Sequence, residues 1–189
     1  MTGDAEFLIV TNKKDITSDF IVREMRHRKL NFSRLNTEDA PDIKVSCNPD
    51  VEGTRFTIGD RSVDIAKIRA AYFRRPLPAN TAEKGLSQSS TVYVVEEWNY
   101  FLRSLYLELG SKWFSHPNNI ILAENKPMQL RLAKELGFNV PKTVITNDVK
   151  AASPLFEDGD VVAKPLKHSL LECPDTAGSV IFTSVIRVC

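Results

Sequence analysis

Cysteine and histidine are scarce in this sequence, which limits the disulfide and metal chemistry that it can carry. Its 189 residues include three histidines and three cysteines, Cys47, Cys173 and Cys189. An odd number of widely spaced cysteines, none in a Cys-x-x-Cys pair, argues against a disulfide framework. His168 lies near Cys173 in the sequence, but a chance meeting in a loop explains that spacing better than a metal or nucleophile pair. We predict no metal site among these side chains.

An excess of one charge sign and long apolar runs are also missing. The formal net charge is +1, so no overall field draws the chain toward nucleic acid or an anionic membrane. No apolar run approaches the roughly 20 residues that a membrane-spanning helix needs. The acidic N-terminus lacks the basic start and apolar core of a signal peptide. These absences predict a soluble, cytoplasmic protein without nucleic-acid or membrane partners.

A glycine-rich phosphate-binding turn is absent from the first half of the chain. The apolar run over residues 7–10 predicts a strand covered on both faces. The turn over residues 11–15 contains no Gly-x-Gly-x-x-Gly, so no close approach of a pyrophosphate is expected there. A helix capped by Thr17 or Ser18 follows, and its predicted core-facing side chains are Phe20, Ile21 and Met25. Residues 32–35 then form a second strand, which completes a right-handed βαβ unit.

Two arginines stand at the end of a later strand. Alternating polar and apolar residues over 54–65, with a turn at Gly59-Asp60, predict an antiparallel hairpin at a sheet edge. Residues 68–73 predict another sheet strand, which runs directly into Arg74-Arg75-Pro76. Ligands of open α/β sheets bind at the carboxyl ends of the strands, so Arg74 and Arg75 are candidate substrate-binding residues. The alternative is a solvated pair whose partners are Glu96 or Glu97.

A long amphipathic helix precedes a change of domain. Seven large apolar residues recur on one stripe before Gly110 and predict a core helix: Val94, Val95, Trp98, Phe101, Leu102, Leu105 and Leu109. A chain of this length has room for one ordinary domain or two small ones. We place a boundary near Ser115, which gives domains over residues 1–115 and 116–189. The fold class is α/β, with a Rossmann-like and mostly parallel sheet in the first domain.

Two lysines occupy the ends of neighbouring elements in the second domain. Asn125 caps a helix whose first residues include Lys126, where a cation gains nothing from the helix dipole. Val144-Ile145 predicts a short strand, and Val161 to Ala163 predicts another that ends at Lys164. Two cations on elements that can meet in space favour the binding of a phosphate. The alternative is that Lys126 is merely solvated and that Lys164 extends its ammonium group to solvent from the strand end.

The run from Asn125 to Pro165 resembles the nucleotide-binding subdomain of the ATP-grasp ligases. In that superfamily a lysine opens a helix, a Gly-hydrophobic-x-Val/Ile-Pro-x-Thr turn follows, and a strand ends in Lys-Pro. The segments 123–126, 137–143 and 146–148, together with Arg74-Arg75-Pro76, are similar to the microviridin-type ligases, which crosslink ribosomally made peptides. The resemblance implies a pre-ATP-grasp domain followed by a partial α+β ATP-grasp subdomain. It further implies that Lys126 and Lys164 hold the phosphates of ATP.

The resemblance also sets expectations about partners and activity. The partners it implies are a precursor peptide and a second copy of the chain. Mg²⁺ ligands, the adenine-binding strand and the arginine that orients an acyl phosphate belong to the family's second ATP-binding half, which has no counterpart before Cys189. The chain is then either a fragment of a longer carboxylate–amine or carboxylate–alcohol ligase or a degenerate member. We predict no catalytic residue here, weak ATP binding at most, and Mg²⁺ use only in a full-length enzyme.

A non-catalytic peptide-binding module is the rival hypothesis. An exposed hairpin offers unpaired backbone groups to which an extended peptide adds as a strand. The loop over residues 76–90, rich in Pro, Gly, Ser, Thr and Asn, is also long enough to serve as a recognition surface.

Overall fold

The chain divides into two units in the computed structural model of the protein, Met1–Ile120 and Ile121–Cys189. The structure describes residues 4–48, 53–58, 61–81, 85–166, 170–173, 176–180 and 183–186. Among the predicted features, the Gly59-Asp60 turn, His168 and Cys189 lie outside these ranges. The interpretation of residues 1–115 and 116–189 as the two family domains stays a prediction.

The fold is mixed α/β, as the sequence predicts. Its strands are β1 Phe7–Thr11, β2 Phe32–Asn36, β3 Lys44–Asn48, β4 Gly53–Ile58, β5 Arg61–Asp64, β6 Ala70–Phe73, β7 Trp113–Phe114, β8 Val161–Ala163, β9 Leu170–Cys173, β10 Thr176–Val180 and β11 Ser184–Ile186. Its helices are α1 Ile16–His27, α2 Gln88–Leu109, α3 Pro117–Ala123, α4 Lys126–Glu135 and α5 Val149–Ala152. No helix in the described part of the chain has the length and apolarity needed to cross a membrane.

A four-stranded parallel sheet with the order β2-β1-β6-β7 forms the centre of the first unit. Leu8, Ile9 and Val10 of β1 are all at most 1% exposed, because a central parallel strand is covered on both faces. The register pairs Thr11 with Asn36 and Val10 with Phe73. The carboxyl ends of β1, β2 and β6 therefore meet at one edge of the sheet. A Rossmann-like arrangement of the whole domain stays a prediction.

Helix α1 begins earlier than predicted: its N-cap lies at least two residues before the predicted caps Thr17 and Ser18. Asp15 occupies the N-cap position, and the Ser18 hydroxyl donates to the Asp15 carboxylate, so the prediction of Thr17 or Ser18 as cap is wrong. The predicted core-facing residue Phe20 is 56% exposed, whereas Val22 is buried and packs with Ile9 and Phe32. Ile21 and Met25, the other two predicted residues, are half-buried and pack against this cluster, so the prediction fails only for Phe20.

The predicted hairpin forms, but in a sheet of its own. β4 pairs antiparallel with β5 as expected, and β3, which was not predicted, pairs with the other side of β4. These strands make a separate three-stranded sheet, so the expectation of an excursion at the edge of the parallel sheet is wrong. Phe56 and Val63 are at most 2% exposed and join the main core. Burial of this apolar face, rather than edge pairing, attaches the hairpin to the first unit.

Helix α2 supplies the core face that its stripe predicts. Trp98, Leu102, Leu105 and Leu109 are buried, and Val95 and Phe101 pack against them half-buried. The helix begins after Ser87, whose hydroxyl accepts from the Ser90 amide at 3.2 Å, and it ends at Gly110 with φ +49°. That left-handed conformation is the reason for a glycine at this end.

The second unit carries the lysine helix and a short antiparallel pair, β8 with β11. Helix α4 begins after Asn125, whose side-chain oxygen accepts from the Met128 amide at 3.0 Å. The strand predicted at Val144-Ile145 is wrong, because residues 139–146 have no partner strand in the described part of the chain. The apolar residues 120–122 lie in α3.

The described side chains of the second unit are all at least partly exposed to solvent. None of its residues with an assigned burial is buried, and Leu136, Phe138 and Val149 are 66%, 67% and 82% exposed. In α4, Leu132 is likewise 47% exposed. In contrast to the first unit, this unit gains little stability from apolar burial within its described residues.

Candidate functional site

The carboxyl edge of the parallel sheet places Arg74 directly after β6. Its backbone N–H donates to the Val10 carbonyl at 2.9 Å and continues the pairing of β6 with β1. Its guanidinium Nε lies 3.2 Å from the carboxylate of Asp15. Because this ion pair joins Arg74 to Asp15, the alternative in which Glu96 or Glu97 is the partner of Arg74 is wrong. The partner comes instead from the turn that follows β1.

Asp15 is the centre of a small buried network. Its residue is 8% exposed, and one carboxylate oxygen accepts from Ser18 Oγ at 2.7 Å and from Thr11 Oγ1 at 3.2 Å. Burial alone would raise the pKa of Asp15, but the hydrogen bonds from Ser18, Arg74 and Thr11 outweigh it and hold the pKa below its ordinary value. The hydrogen bond to Asp15 in turn raises the pKa of Arg74. Arg74 is thus held as a fixed cation at the sheet edge.

Arg75 adopts a left-handed backbone conformation with φ +46°. Such a conformation costs a non-glycine residue roughly 1–2 kcal/mol, so other contacts must hold it. The side-chain amide of Asn12 donates to the Arg75 carbonyl at 2.5 Å, while Asn12 Oδ1 accepts from the Lys14 amide at 2.8 Å. The Arg75 side chain itself is exposed. Asn12 therefore clamps a strained turn that presents a guanidinium to solvent beside Arg74.

Glu38 completes this edge with an unsatisfied acceptor. Its Oε1 accepts from the Lys13 amide at 2.7 Å, whereas its Oε2 is buried without a hydrogen-bond partner in the part of the chain that the structure describes. A buried carboxylate oxygen of this kind is a ready acceptor for a donor on a ligand. The edge therefore combines cationic groups from Arg74 and Arg75 with an acceptor from Glu38.

The Lys126 ammonium lies against the backbone that follows Lys164. It donates to the Pro165 carbonyl at 2.8 Å and also to the Leu166 carbonyl. The alternative in which Lys126 is merely solvated is therefore wrong. The structure thus ties the start of α4 to the segment after β8, which begins with Lys164. The Lys164 side chain is exposed.

A cavity of about 910 Å³ lies within the second unit beside Lys164. Its walls include Lys142 and Thr143 from the segment after α4, Asp160 before β8, and apolar side chains such as Leu130 and Val162. This volume lies at the upper end of the range for small-molecule sites. Lys164 lines the cavity and Lys126 does not, so one of the two predicted phosphate lysines faces a space of suitable size.

The residues around this cavity suit a nucleotide better than a metal ion. Apolar walls fit a base, and the Lys164 ammonium fits phosphate oxygens. No group of three or more His, Cys, Asp or Glu side chains is positioned to hold a metal among the described residues. The described residues therefore do not provide a complete Mg²⁺ site.

Comparisons with known proteins find similarity of structure only. No family model and no curated protein matches the chain. The structure matches the macrocyclase MdnC of Microcystis aeruginosa MRC, solved bound with precursor peptide MdnA, with a TM-score of 0.85 and 22% identity over 96% of this chain. It also matches a RiPP-associated ATP-grasp ligase of Chryseobacterium gregarium, in complex with ADP and a leader and core peptide, with a TM-score of 0.77 and 20% identity over 97% of this chain. The chain has the fold of the RiPP-associated ATP-grasp ligases.

This ATP-grasp fold confirms the resemblance drawn from the lysine and arginine motifs. A further match, the ATP-grasp ligase PsnB complexed with minimal precursor, Mg and ADP, gives a TM-score of 0.74 and 21% identity over 99% of this chain. The chain spans 61% of MdnC, 56% of the Chryseobacterium ligase and 58% of PsnB. The roles of Lys126, Lys164, Arg74 and Arg75 toward ligands stay predictions.

We call the carboxyl edge of the parallel sheet that carries Arg74 and Arg75 the arginine edge. Three further residues of this edge are not predicted from the sequence: Asn12, Asp15 and Glu38. The signal for the first two was present, since polar residues directly after a buried strand commonly face the ligand edge of a parallel sheet. The lack of glycine over residues 11–15 argues only against a pyrophosphate-binding turn and not against polar contacts at this edge. Glu38 carries no such signal, because its place depends on the segment that follows β2.

Proposed function

We propose that this chain forms the peptide-facing and nucleotide-facing part of an ATP-dependent ligase that joins a carboxylate of a ribosomally made peptide to an amine or an alcohol. The observation that carries the proposal is the match to MdnC over 96% of the chain with a TM-score of 0.85. That neighbour is described with a precursor peptide, and others with ADP. ATP, when bound, supplies the phosphoryl group that activates the carboxylate.

In this proposal the second unit holds the phosphates of ATP. Lys164 presents a cation to the cavity as a point charge. Lys126 fixes the backbone that follows Lys164 through the Pro165 carbonyl and is near enough to that segment to share the phosphate charge. Apolar walls of the cavity exclude water from one side of the nucleotide.

The arginine edge binds a carboxylate of the peptide. Arg75 offers an exposed guanidinium, whose paired N–H groups match a carboxylate in a bidentate geometry. Arg74 acts as a positioning residue, because its own guanidinium is engaged by Asp15. Asn12 holds the Arg75 turn in place before the peptide arrives, which lowers the entropy cost of binding.

We expect the 189-residue polypeptide to bind ATP near the millimolar range. Exposed ion pairs contribute about 1 kcal/mol or less each, and a millimolar Kd corresponds to ~4 kcal/mol. Titrating ATP into ¹⁵N-labelled protein should shift the amide signals of Thr143 and Lys164. Lys164→Ala should weaken binding severalfold, whereas Lys134→Ala, the same charge change on α4 away from the cavity lining, should not. The absence of saturable shifts at this cavity would overturn the nucleotide role.

Peptide binding is the second arm of the same experiment and addresses the non-catalytic alternative. β3 and β5 each pair on one side only in the part of the chain described here, and in the binding-module hypothesis the peptide adds as a strand at one of these edges. A short acidic peptide should shift the amide signals around Arg75, and Arg75→Gln should weaken it by about tenfold while the surface control Arg103→Gln does not. Peptide binding without any ATP response would favour the binding module over the ligase.

A further inference from the structure

A second cavity, of about 660 Å³, lies in the first unit at the amino end of β2. This is the end of the parallel sheet opposite to Arg74 and Arg75. Its lining comes from the last turn of α1, the connection to β2, the first residues of β2, and the facing ends of β4 and β5. None of the predicted site residues belongs to it.

Among the residues that the structure describes, the lining of this cavity carries four cations and no carboxylate: Arg26, Lys29, Arg34 and Arg61. The Arg34 guanidinium is committed, since it contacts Asp19 at 2.5 Å and the Asn12 carbonyl at 2.6 Å. Arg61 donates one N–H to the Phe32 carbonyl at 2.9 Å, which holds its guanidinium at the edge of β2. The side chains of Arg26 and Lys29 have no ion pair within the described ranges. Three cationic groups thus remain available to a ligand.

The end of α1 accounts for only part of this charge. Cations near a helix C-terminus are stabilised by about half a negative charge of the helix dipole, which explains Arg26 without a ligand. It does not explain Arg61, which comes from β5, or Lys29, which follows the helix with φ +55°. Three full positive charges also exceed half a negative one, so the cavity remains electropositive.

Ser33 provides an independent sign of a missing ligand. The residue is 3% exposed and lines the cavity, yet its hydroxyl oxygen is buried without a hydrogen-bond partner in the described part of the chain. Buried hydroxyl groups are nearly always hydrogen-bonded, because an unpaired one loses its contacts with water. An oxygen of a ligand in the cavity would accept the proton of this hydroxyl.

We propose that this cavity is a binding site for a small oxyanion ligand, held by Arg26, Lys29 and Arg61 and oriented by the Ser33 hydroxyl. Phosphate and carboxylate groups share the required chemistry, because both offer anionic oxygens to charged donors. The cavity volume admits a small molecule that carries such a group rather than a bare ion alone. The site stands apart from the proposed ligase function, since it uses other residues of the first unit.

The test is a set of NMR titrations of the whole chain at constant ionic strength, with sodium chloride as the balancing salt. The probes are inorganic phosphate, pyrophosphate and succinate. We expect saturable shifts of the Ser33 and Lys29 amide signals with at least one probe. The tighter of the phosphate and succinate classes then identifies the source of the anionic group.

Variants distinguish specific binding in the cavity from a nonspecific effect of the protein's charge. Arg26→Gln combined with Lys29→Gln should weaken binding by at least about tenfold, and Ser33→Ala by about threefold. Ser33→Ala should leave the melting temperature of the free protein unchanged or higher, because it removes an unpaired buried hydroxyl. Arg103→Gln removes the same charge from α2, outside the cavity lining, and should leave binding unchanged. Arg61 is kept, because it also supports β2.

Two outcomes would overturn the proposal. One is the lack of saturable shifts at Ser33 and Lys29 with every probe. The other is equal weakening by Arg103→Gln and by the cavity variants, which would indicate nonspecific screening. Lys164→Ala leaves this cavity intact, so failure of the ATP experiment and failure of this one are distinguishable.

Discussion

Replacing Trp98 with alanine is expected to lower the free energy of unfolding of the first unit by about 3–5 kcal/mol. The indole is 9% exposed and its ring centroid lies 5.0 Å from that of Phe101. Its Nε1 donates to the Thr37 carbonyl at 3.1 Å, in the segment that precedes Glu38. Truncation therefore leaves a large void and an unpaired carbonyl at the root of the arginine edge. Chemical denaturation followed by far-UV circular dichroism measures the change.

The variant Trp98→Phe distinguishes the loss of apolar packing from the loss of the hydrogen bond to the Thr37 carbonyl. Phenylalanine keeps most of the apolar contact with Phe101 but cannot donate to Thr37, so we expect a smaller loss of about 1–2 kcal/mol. The amide signals of Lys13 and Glu38 should shift in this variant, because the Thr37 segment loses its anchor. A loss below 1 kcal/mol in the alanine variant would contradict the packing described for α2.

Replacing Asp15 with alanine is expected to cost about 2–3 kcal/mol at neutral pH, because it removes the charged acceptor shared by Ser18, Thr11 and Arg74. Arg74 is 33% exposed, so water partly replaces the lost partner. We expect Arg74 to lose its fixed direction as well. Acidic-peptide binding beside Arg75 should not weaken, since removal of the Asp15 charge frees the neighbouring Arg74 guanidinium for the same carboxylate.

The pH dependence of this effect has a definite sign. The pKa of Asp15 is lower in the folded protein than the ordinary value of about 3.9. Its stabilising contribution is therefore fully present above that value and is lost as the pH falls through the lower folded pKa. Asp15→Asn keeps the size and removes the charge, so the stability difference between wild type and this variant should shrink on acidification. A difference that stays constant down to strongly acidic pH would mean that Asp15 is not the charged acceptor.

The position of Arg74 could be predicted from sequence, but its partner could not. An apolar strand followed by two arginines is a local pattern, and it correctly places them at the carboxyl edge. The carboxylate that holds Arg74 is 59 residues away in sequence and reaches it only because β1 and β6 pair side by side. Glu96 and Glu97 attracted the prediction because they were acidic and closer along the chain.

The surroundings of Lys126 likewise include one feature that nearby residues predict and one that depends on residues far away in the sequence. Asn125 and Pro127 fix the start of α4 through capping and backbone geometry, which are legible in sequence. The contact from Lys126 to the Pro165 carbonyl spans 39 residues. Every residue has a backbone carbonyl, so no sequence pattern distinguishes the one that accepts. The prediction for α1 was wrong at one residue, because Val22 rather than Phe20 packs against the sheet, whereas Ile21 and Met25 pack there as predicted.

The division into two units has an optical consequence. Both tryptophans and all four tyrosines precede Ile121, and Trp113 packs edge-to-face with Tyr106 at 5.5 Å in the first unit. The second unit, Ile121–Cys189, contains phenylalanine as its only aromatic residue type. Absorbance at 280 nm and intrinsic tryptophan emission therefore report on the first unit alone. A proteolytic fragment that comprises only the second unit would therefore give almost no absorbance signal at 280 nm during chromatography. Far-ultraviolet absorbance of the peptide bonds, or mass spectrometry, would detect it.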